Sequence, residues 1–227
     1  MIKFYYNGAP NPMKVALFLE EAGMAYEAIP IDTRSGDQHK PEYTAINPNA
    51  KAPAIVDDGV AIFDSNAILL YLAEKNGQFL PSDPKARGPM LSWLMFVASG
   101  IGPYSGQSVH FKHVAPEPKE YAVNRYDFEA DRHYSIIDEK LATNKFMLGD
   151  DYTIVDMAIW GWARLIPRVL SENAMDNYPN LKRMMGDINA RPAAARAEAL
   201  PKKHTFKTDM DDAARHHMFP QNARLGA

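Results

Sequence analysis

Residues 51–68 read Lys51-Ala52-Pro53-Ala54-Ile55-Val56-Asp57-Asp58-Gly59-Val60-Ala61-Ile62-Phe63-Asp64-Ser65-Asn66-Ala67-Ile68. Two short apolar runs, Ala54-Ile55-Val56 and Val60-Ala61-Ile62-Phe63, flank Asp57-Asp58-Gly59. Aspartate and glycine accept the positive φ that a tight hairpin turn requires, so the two runs are read as antiparallel strands. Ser65 then opens a helical pattern through Ala67, Ile68, Leu69, Tyr71 and Leu72, and Gly77 closes it. The stretch therefore reads ββα.

Upstream, Ile2 to Tyr6 is short, aromatic and β-prone. A Gly/Pro-rich loop follows, Asn7-Gly8-Ala9-Pro10-Asn11-Pro12. Val15, Phe18, Leu19 and Ala22 then recur at helical spacing from Met13, with Gly23 as the terminating residue. Tyr26 to Ile31 reads as a second strand. A β-α-β unit pairs its strands in parallel through a right-handed crossover. The whole order predicts an α/β domain over residues 1–79, a mixed four-stranded sheet covered by helices, as in thioredoxin-like folds. Leu80-Pro81-Ser82-Asp83-Pro84 opens a linker over 80–87. Residues 88–201 are predicted to form an all-helical bundle, with helices at Met90–Ser99, Glu117–Leu141, Ile154–Ile166 (stopped by Pro167), Pro179–Ala190 and Ala193–Leu200. Residues 202–227 form a polar tail without periodicity, carrying Phe206, Met218 and Phe219. A mobile end and a lid are both open for it.

Composition narrows the function. A net charge of −3 over 227 residues gives no field that favours nucleic acid or an anionic membrane. No apolar run approaches the roughly 20 residues that span a bilayer. Met1-Ile2-Lys3-Phe4-Tyr5-Tyr6 reads as a strand rather than as a secretion signal, so the chain is expected in the cytoplasm. Cysteine is absent. That excludes a disulfide framework, a thiolate metal site, a Cys-x-x-Cys redox pair and a cysteine nucleophile. Any thiol chemistry must use a thiol carried in by a ligand.

The strand-loop-helix start, Lys51-Ala52-Pro53-Ala54-Ile55 and Phe63-Asp64-Ser65-Asn66-Ala67-Ile68 resemble the glutathione-site motifs of the cytosolic glutathione S-transferase superfamily. Tyr152-Thr153-Ile154-Val155-Asp156-Met157-Ala158 resembles its C-terminal helix-start motif. The resemblance runs in order over residues 1 to 200. Pro10-Asn11, together with Gly102-Pro103, Gly106-Gln107 and His110-Phe111-x-His113-x-Ala115-Pro116, resembles the bacterial nu class of glutathione-dependent disulfide-bond oxidoreductases. Such a resemblance implies an enzyme that activates the thiolate of bound glutathione. It implies two glutathiones per site, no metal, a small disulfide as second substrate, and a homodimer. Conjugation or ether cleavage of a hydrophobic electrophile is the neighbouring alternative, and a non-catalytic glutathione-binding or interaction module is the second.

The resemblance also assigns residues, each with a plainer account beside it. Ser65 and Asp64 would take the γ-glutamyl carboxylate and ammonium; equally, Ser65 is an ordinary N-cap. The main chain of Ala52, before a Pro53 that the resemblance makes cis and bare statistics make trans, would hold the cysteinyl backbone. Lys51 and Gln38 would meet the glycine carboxylate, or else are exposed loop side chains. Asn11 is the catalytic candidate, donating to the sulfur from the loop that leads into the first helix; the class threonine is replaced here by Ala9. Tyr5 and Tyr6, on opposite faces of a strand, are alternatives, unless both are aromatic packing. Arg125 and Arg132 share a helix face suited to a second glutathione, but Glu129 between them offers an ion pair instead. Thr153 and Asp156 have capping-box spacing and a folding role. His110 and His113 lack a recognisable metal-ligand spacing. Trp93, Met95 and Phe96 are bundle core by periodicity and near a dimer interface by resemblance.

Overall fold

In the computed structural model, which describes residues 1–117 and 119–226, the chain opens with strand β1 (Ile2–Tyr6), helix α1 (Pro10–Ala22) and strand β2 (Tyr26–Pro30). A 3-10 turn (Asp37–His39) and the short helix α2 (Pro41–Thr44) lead to strands β3 (Ala54–Asp57) and β4 (Val60–Phe63) and helix α3 (Ser65–Asn76). The sheet order is β2-β1-β3-β4. β1 and β2 are parallel with Phe4 opposite Ala28; β1 and β3 are antiparallel with Phe4 opposite Ile55; β3 and β4 form the hairpin. Its turn is Asp58-Gly59, with φ of 49° and 85°, the two positive angles of a type I′ turn. This is the predicted mixed sheet with thioredoxin-like order.

α1 starts three residues earlier than the periodicity predicted. Pro10 and Pro12 sit in its first turn, where a missing N–H costs no helical bond. Its end is as predicted: Gly23 has φ 62°, and its N–H bonds the Leu19 carbonyl. Ile2, Phe4 and Tyr6 of β1 and most of α1 from Pro12 to Leu19 are buried.

The chain divides into two compact units, Met1–Ile68 with Arg196–Ala227, and Leu69–Ala195. The second contains α4 (Arg87–Phe96), α5 (Gly102–His113), α6 (Glu120–Leu141), α7 (Ile154–Ala163), α8 (Ile166–Val169), α9 (Pro179–Asn189) and the start of α10 (Pro192–Ala199). α5 was not predicted, because Gly102 and Pro103 read as breakers. A π-helical turn, Val97–Ile101, carries the chain from α4 into them, and they become the first residues of α5. Likewise Pro167, predicted to stop a helix, is the second residue of α8 after a break at Arg164-Leu165.

α7 has the predicted capping box. Thr153 Oγ1 accepts from Val155 N at 3.3 Å, and Asp156 Oδ2 accepts from Thr153 N at 2.8 Å. The fully buried Asp156 also accepts from Met147 N at 2.9 Å, tying the preceding loop to the helix. At α4–α6, an added Cβ on Gly100 would lie 2.3 Å from His133 Nε2. His133 cannot retreat: its ring stacks on Phe96 at 4.8 Å, and its Nδ1–H donates to the Glu129 carbonyl at 2.6 Å.

The segment from Arg196 returns to the first unit. Arg196 Nε meets Glu20 Oε2 at 2.7 Å, Lys207 N donates to Asp32 Oδ2 at 2.7 Å, and Arg34 Nη1 bonds the Lys207 and Thr208 carbonyls at 2.9 Å each. A last helix, α11 (Asp212–Met218), lies in the stretch that showed no period; seven residues are too few to display one. Among the described residues no helix is long and apolar enough to cross a membrane.

Candidate functional site

The site builds from the N-terminus of α3. Asp64 has φ 70°, a left-handed conformation that aspartate tolerates better than most residues. Its Oδ1 accepts from Asn66 N at 2.9 Å and Ala67 N at 3.1 Å, so Asp64 is the N-cap. The capping account considered for Ser65 is therefore corrected: it belongs to the residue before. Ser65 is the first helical residue and is 4% exposed.

Lys14, which sequence reasoning did not single out, lies behind it. Its ammonium, on a side chain only 1% exposed, donates to Ser65 Oγ and Asn66 Oδ1, each at 3.4 Å. Burial pulls its pKa down to about 7, against the opposing charge of Asp64. A signal existed: Leu17 and Phe18, three and four residues on, are core positions, which puts Lys14 on the apolar face of α1.

The Ala52-Pro53 bond is cis, immediately before β3. The Lys51 carbonyl accepts from Tyr43 Oη at 2.7 Å and from Asn47 Nδ2, while the Lys51 side chain is exposed. Gln38 is not an exposed loop residue. It is 4% exposed, and its Nε2 donates to the carbonyls of Thr33 at 3.1 Å and His217 at 3.0 Å. Its Oε1 is buried with no partner among the described residues. What such an oxygen can receive is an N–H.

Asn11 lies in the first turn of α1, not in a preceding loop as predicted, and carries an N–H between two prolines that have none. Ala9, the residue before the helix, is held by its own N–H to Asn7 Oδ1 at 3.0 Å. Tyr5 and Tyr6 do point to opposite faces. The Tyr5 ring packs on Tyr43 at 5.7 Å, in a cluster with Ile31, Ile46 and Ala54. Tyr6 is fully buried; its hydroxyl bonds the Leu200 carbonyl at 3.1 Å and His204 Nδ1 at 2.6 Å. Burial pushes its pKa up to about 12, the wrong direction for a tyrosinate.

In the helical unit, Glu129 holds both candidate arginines: Arg125 Nη1 at 3.0 Å and Arg132 Nη2 at 2.9 Å. The ion pair is thus present. It leaves a net charge of +1 over the trio, with each arginine side chain about half exposed. His113 Nε2 lies 3.0 Å from the Arg168 carbonyl. Among the described residues no cluster of three or more histidines and carboxylates is disposed to hold a metal ion.

Comparison with known proteins gives the family. Residues 1–74 match the model of the glutathione S-transferase N-terminal domain, and residues 93–192 that of the C-terminal domain. The disulfide-bond oxidoreductase YfcG of Escherichia coli (strain K12) is 41% identical over 204 residues, 87% of this chain and 94% of that protein. A glutathione transferase family member from Pseudomonas fluorescens, solved with two glutathiones bound, superposes with a TM-score of 0.82 at 38% identity, covering 87% of this chain and 92% of that one. A Pseudomonas putida glutathione transferase, with one glutathione disulfide bound per subunit, gives 0.83 at 34% identity, over 88% and 91%. The chain belongs to the glutathione S-transferase superfamily and is similar, within it, to the bacterial disulfide-bond oxidoreductases of the nu class.

Proposed function

We propose that this protein reduces small disulfides with glutathione as the thiol source. The observation that carries this is the N-terminus of α3. Asp64 Oδ1 caps the helix, so the buried Ser65 hydroxyl, with an ammonium behind it, is left to face an anionic ligand group. Glutathione fits the set. Its γ-glutamyl carboxylate suits Ser65, its ammonium suits Asp64, its cysteinyl main chain suits Ala52 beside the cis Pro53, and its glycine end suits the exposed Lys51. Gln38 then contributes its buried Oε1 to a ligand N–H, because its amide hydrogens serve backbone carbonyls.

The catalytic task of the protein is to hold the thiol ionised. Donors at a helix N-terminus lower a thiol's pKa. Asn11 is the donor we assign, in the first turn of α1. The Ala9 methyl withholds one hydrogen bond, worth about 1.5–3 kcal/mol to an anion, so the burden falls on Asn11 and the α1 backbone. The bound thiolate attacks a disulfide sulfur and expels one thiolate; a second glutathione resolves the mixed disulfide, giving glutathione disulfide and a second free thiol. The +1 cluster of Arg125, Glu129 and Arg132 is the assigned anchor for that second, anionic glutathione. The relatives' bound ligands, two glutathiones in one and glutathione disulfide in another, support the scheme.

We assign a cytoplasmic location, where glutathione is abundant and reduced. We also assign a homodimer. The half-exposed Met95, with Trp93 and Phe96 beside it, and Val60 and Phe63 on edge strand β4 are apolar surface that a second subunit would cover.

The test measures turnover of bis(2-hydroxyethyl) disulfide with glutathione, coupled to glutathione reductase, beside conjugation of chlorodinitrobenzene. Disulfide turnover should dominate. Ser65→Ala should weaken glutathione binding about ten-fold or more, and Asn11→Ala should slow turnover with little change in binding. Dominant conjugation would move the chain to the electrophile alternative. Glutathione binding without either turnover would make it a binding module.

A further inference from the structure

Lys14 is a charge in an unusual place. A buried ammonium has three N–H groups to satisfy and normally takes a carboxylate or several short bonds. Here two neutral oxygens accept from it, both at 3.4 Å, beyond the usual length of such bonds. Such an arrangement is costly unless a negative charge arrives beside it. The direction from which one can arrive is fixed by Ser65, whose oxygen accepts from Lys14 and whose hydrogen is then turned outward.

We propose that Lys14 is the positioning residue for the anionic end of glutathione, acting through the Ser65 hydroxyl at the N-terminus of α3. The inference rests on glutathione being the ligand of this site. Its chemistry is a reversal of polarity. As an ammonium, Lys14 donates to Ser65 Oγ, and the serine donates to the ligand carboxylate. As a neutral amine, Lys14 accepts from Ser65, and the serine hydrogen points inward, away from the ligand. Burial places the ligand-free changeover at about pH 7. A bound carboxylate stabilises the ammonium, so above that pH binding takes one proton from solvent and gives it to Nζ.

The groups around Lys14 are few. Asp64, in the turn before α3, is the carboxylate that acts on it; Ser65 and Asn66 face it from α3 and do not titrate. On α1 itself, Glu20 and Glu21 lie six and seven residues further on, about 9–10 Å along the axis, and Glu20 is engaged by Tyr26 and Arg196.

The experiment titrates S-methylglutathione, which has no thiol to ionise, into the protein by calorimetry between about pH 6 and pH 8, with buffers of different ionisation heat. The wild type should take up close to one proton at about pH 8 and almost none at about pH 6, and its affinity should fall over that interval. Lys14→Met, of similar shape and uncharged, should bind about 10- to 100-fold more weakly at about pH 6. Its affinity should lack the wild-type slope; the ligand's own amine shifts both proteins alike. Should Lys14→Met fail to fold, the wild-type proton count decides alone. No uptake at about pH 8, or a Met variant with wild-type affinity and slope, overturns the role of Lys14 while leaving glutathione as ligand. Absence of binding by the wild type at every pH overturns both.

Discussion

Asp156 should make the protein more stable in mild acid, the reverse of what a native carboxylate usually does. Its side chain is fully buried at the start of α7 and accepts three hydrogen bonds, from Met147 N, Thr153 N and Thr153 Oγ1. Burial raises its pKa to about 6, outweighing those bonds, against 3.8 for the free group. Between the two values the folded state binds more protons than the unfolded chain, so stability falls as pH rises through that window and is level above it. From these values, lowering the pH from 7 to 5 adds about 1.4 kcal/mol through this residue. Asp156→Asn removes the titration and keeps the shape. It also turns an NH2 toward one of the backbone donors, costing about 1–3 kcal/mol at any pH. That term cancels when the two pH values are compared. The destabilisation by Asp156→Asn should therefore be about 1.4 kcal/mol larger at pH 5 than at pH 7. Urea unfolding followed by tryptophan fluorescence measures it directly, because Trp93, Trp160 and Trp162 all lie in the helical unit with Asp156. An equal penalty at both pH values, or a larger one at pH 7, would refute the reasoning.

Two further substitutions test packing and the returning segment. Gly100→Ala would gain up to about 1 kcal/mol in an open helix, but its Cβ would sit 2.3 Å from His133 Nε2. Thermal denaturation should show a loss of about 1–3 kcal/mol, partly recovered by adding His133→Ala; no loss would mean the ring can move. Tyr6→Phe removes the hydroxyl bonded to Leu200 and His204, at about 1–3 kcal/mol. Hydrogen exchange should quicken over residues 200–217 and not in α6 or α7, and an unchanged pattern there would show that the hydroxyl does not fasten this segment.

What was legible in the sequence was local. The Asp58-Gly59 turn, the Gly23 helix stop and the Thr153–Asp156 box each depend on residues within a few positions of one another, and each formed as read. Three prolines and a glycine misled because a breaker is neutral at the start of a helix: Pro10, Gly102-Pro103 and Pro167 all lie in the first two residues of one. At the site, the position of Ser65 was legible, but its surroundings were not. The cap proved to be Asp64, and Lys14, although its spacing from Leu17 and Phe18 puts it on the apolar face of α1, has no visible partner until α3 is packed over it. The carbonyl of His217 over Gln38 joins residues 179 positions apart and has no local signature.

The return of the segment from Arg196 to the first unit bears on how the protein is made. The four strands with α1 and α2 leave the ribosome by Ile68, yet the last partners of this unit follow only at Arg196 and beyond. At about 5–20 residues per second, some 130 intervening residues take on the order of ten seconds to emerge. Through that interval Tyr6, Asp32, Arg34 and Gln38 lack the partners that the later segment supplies. The nascent first unit is therefore a natural client for chaperones, and its maturation is timed by the synthesis of the segment from Arg196 rather than by its own first 68 residues.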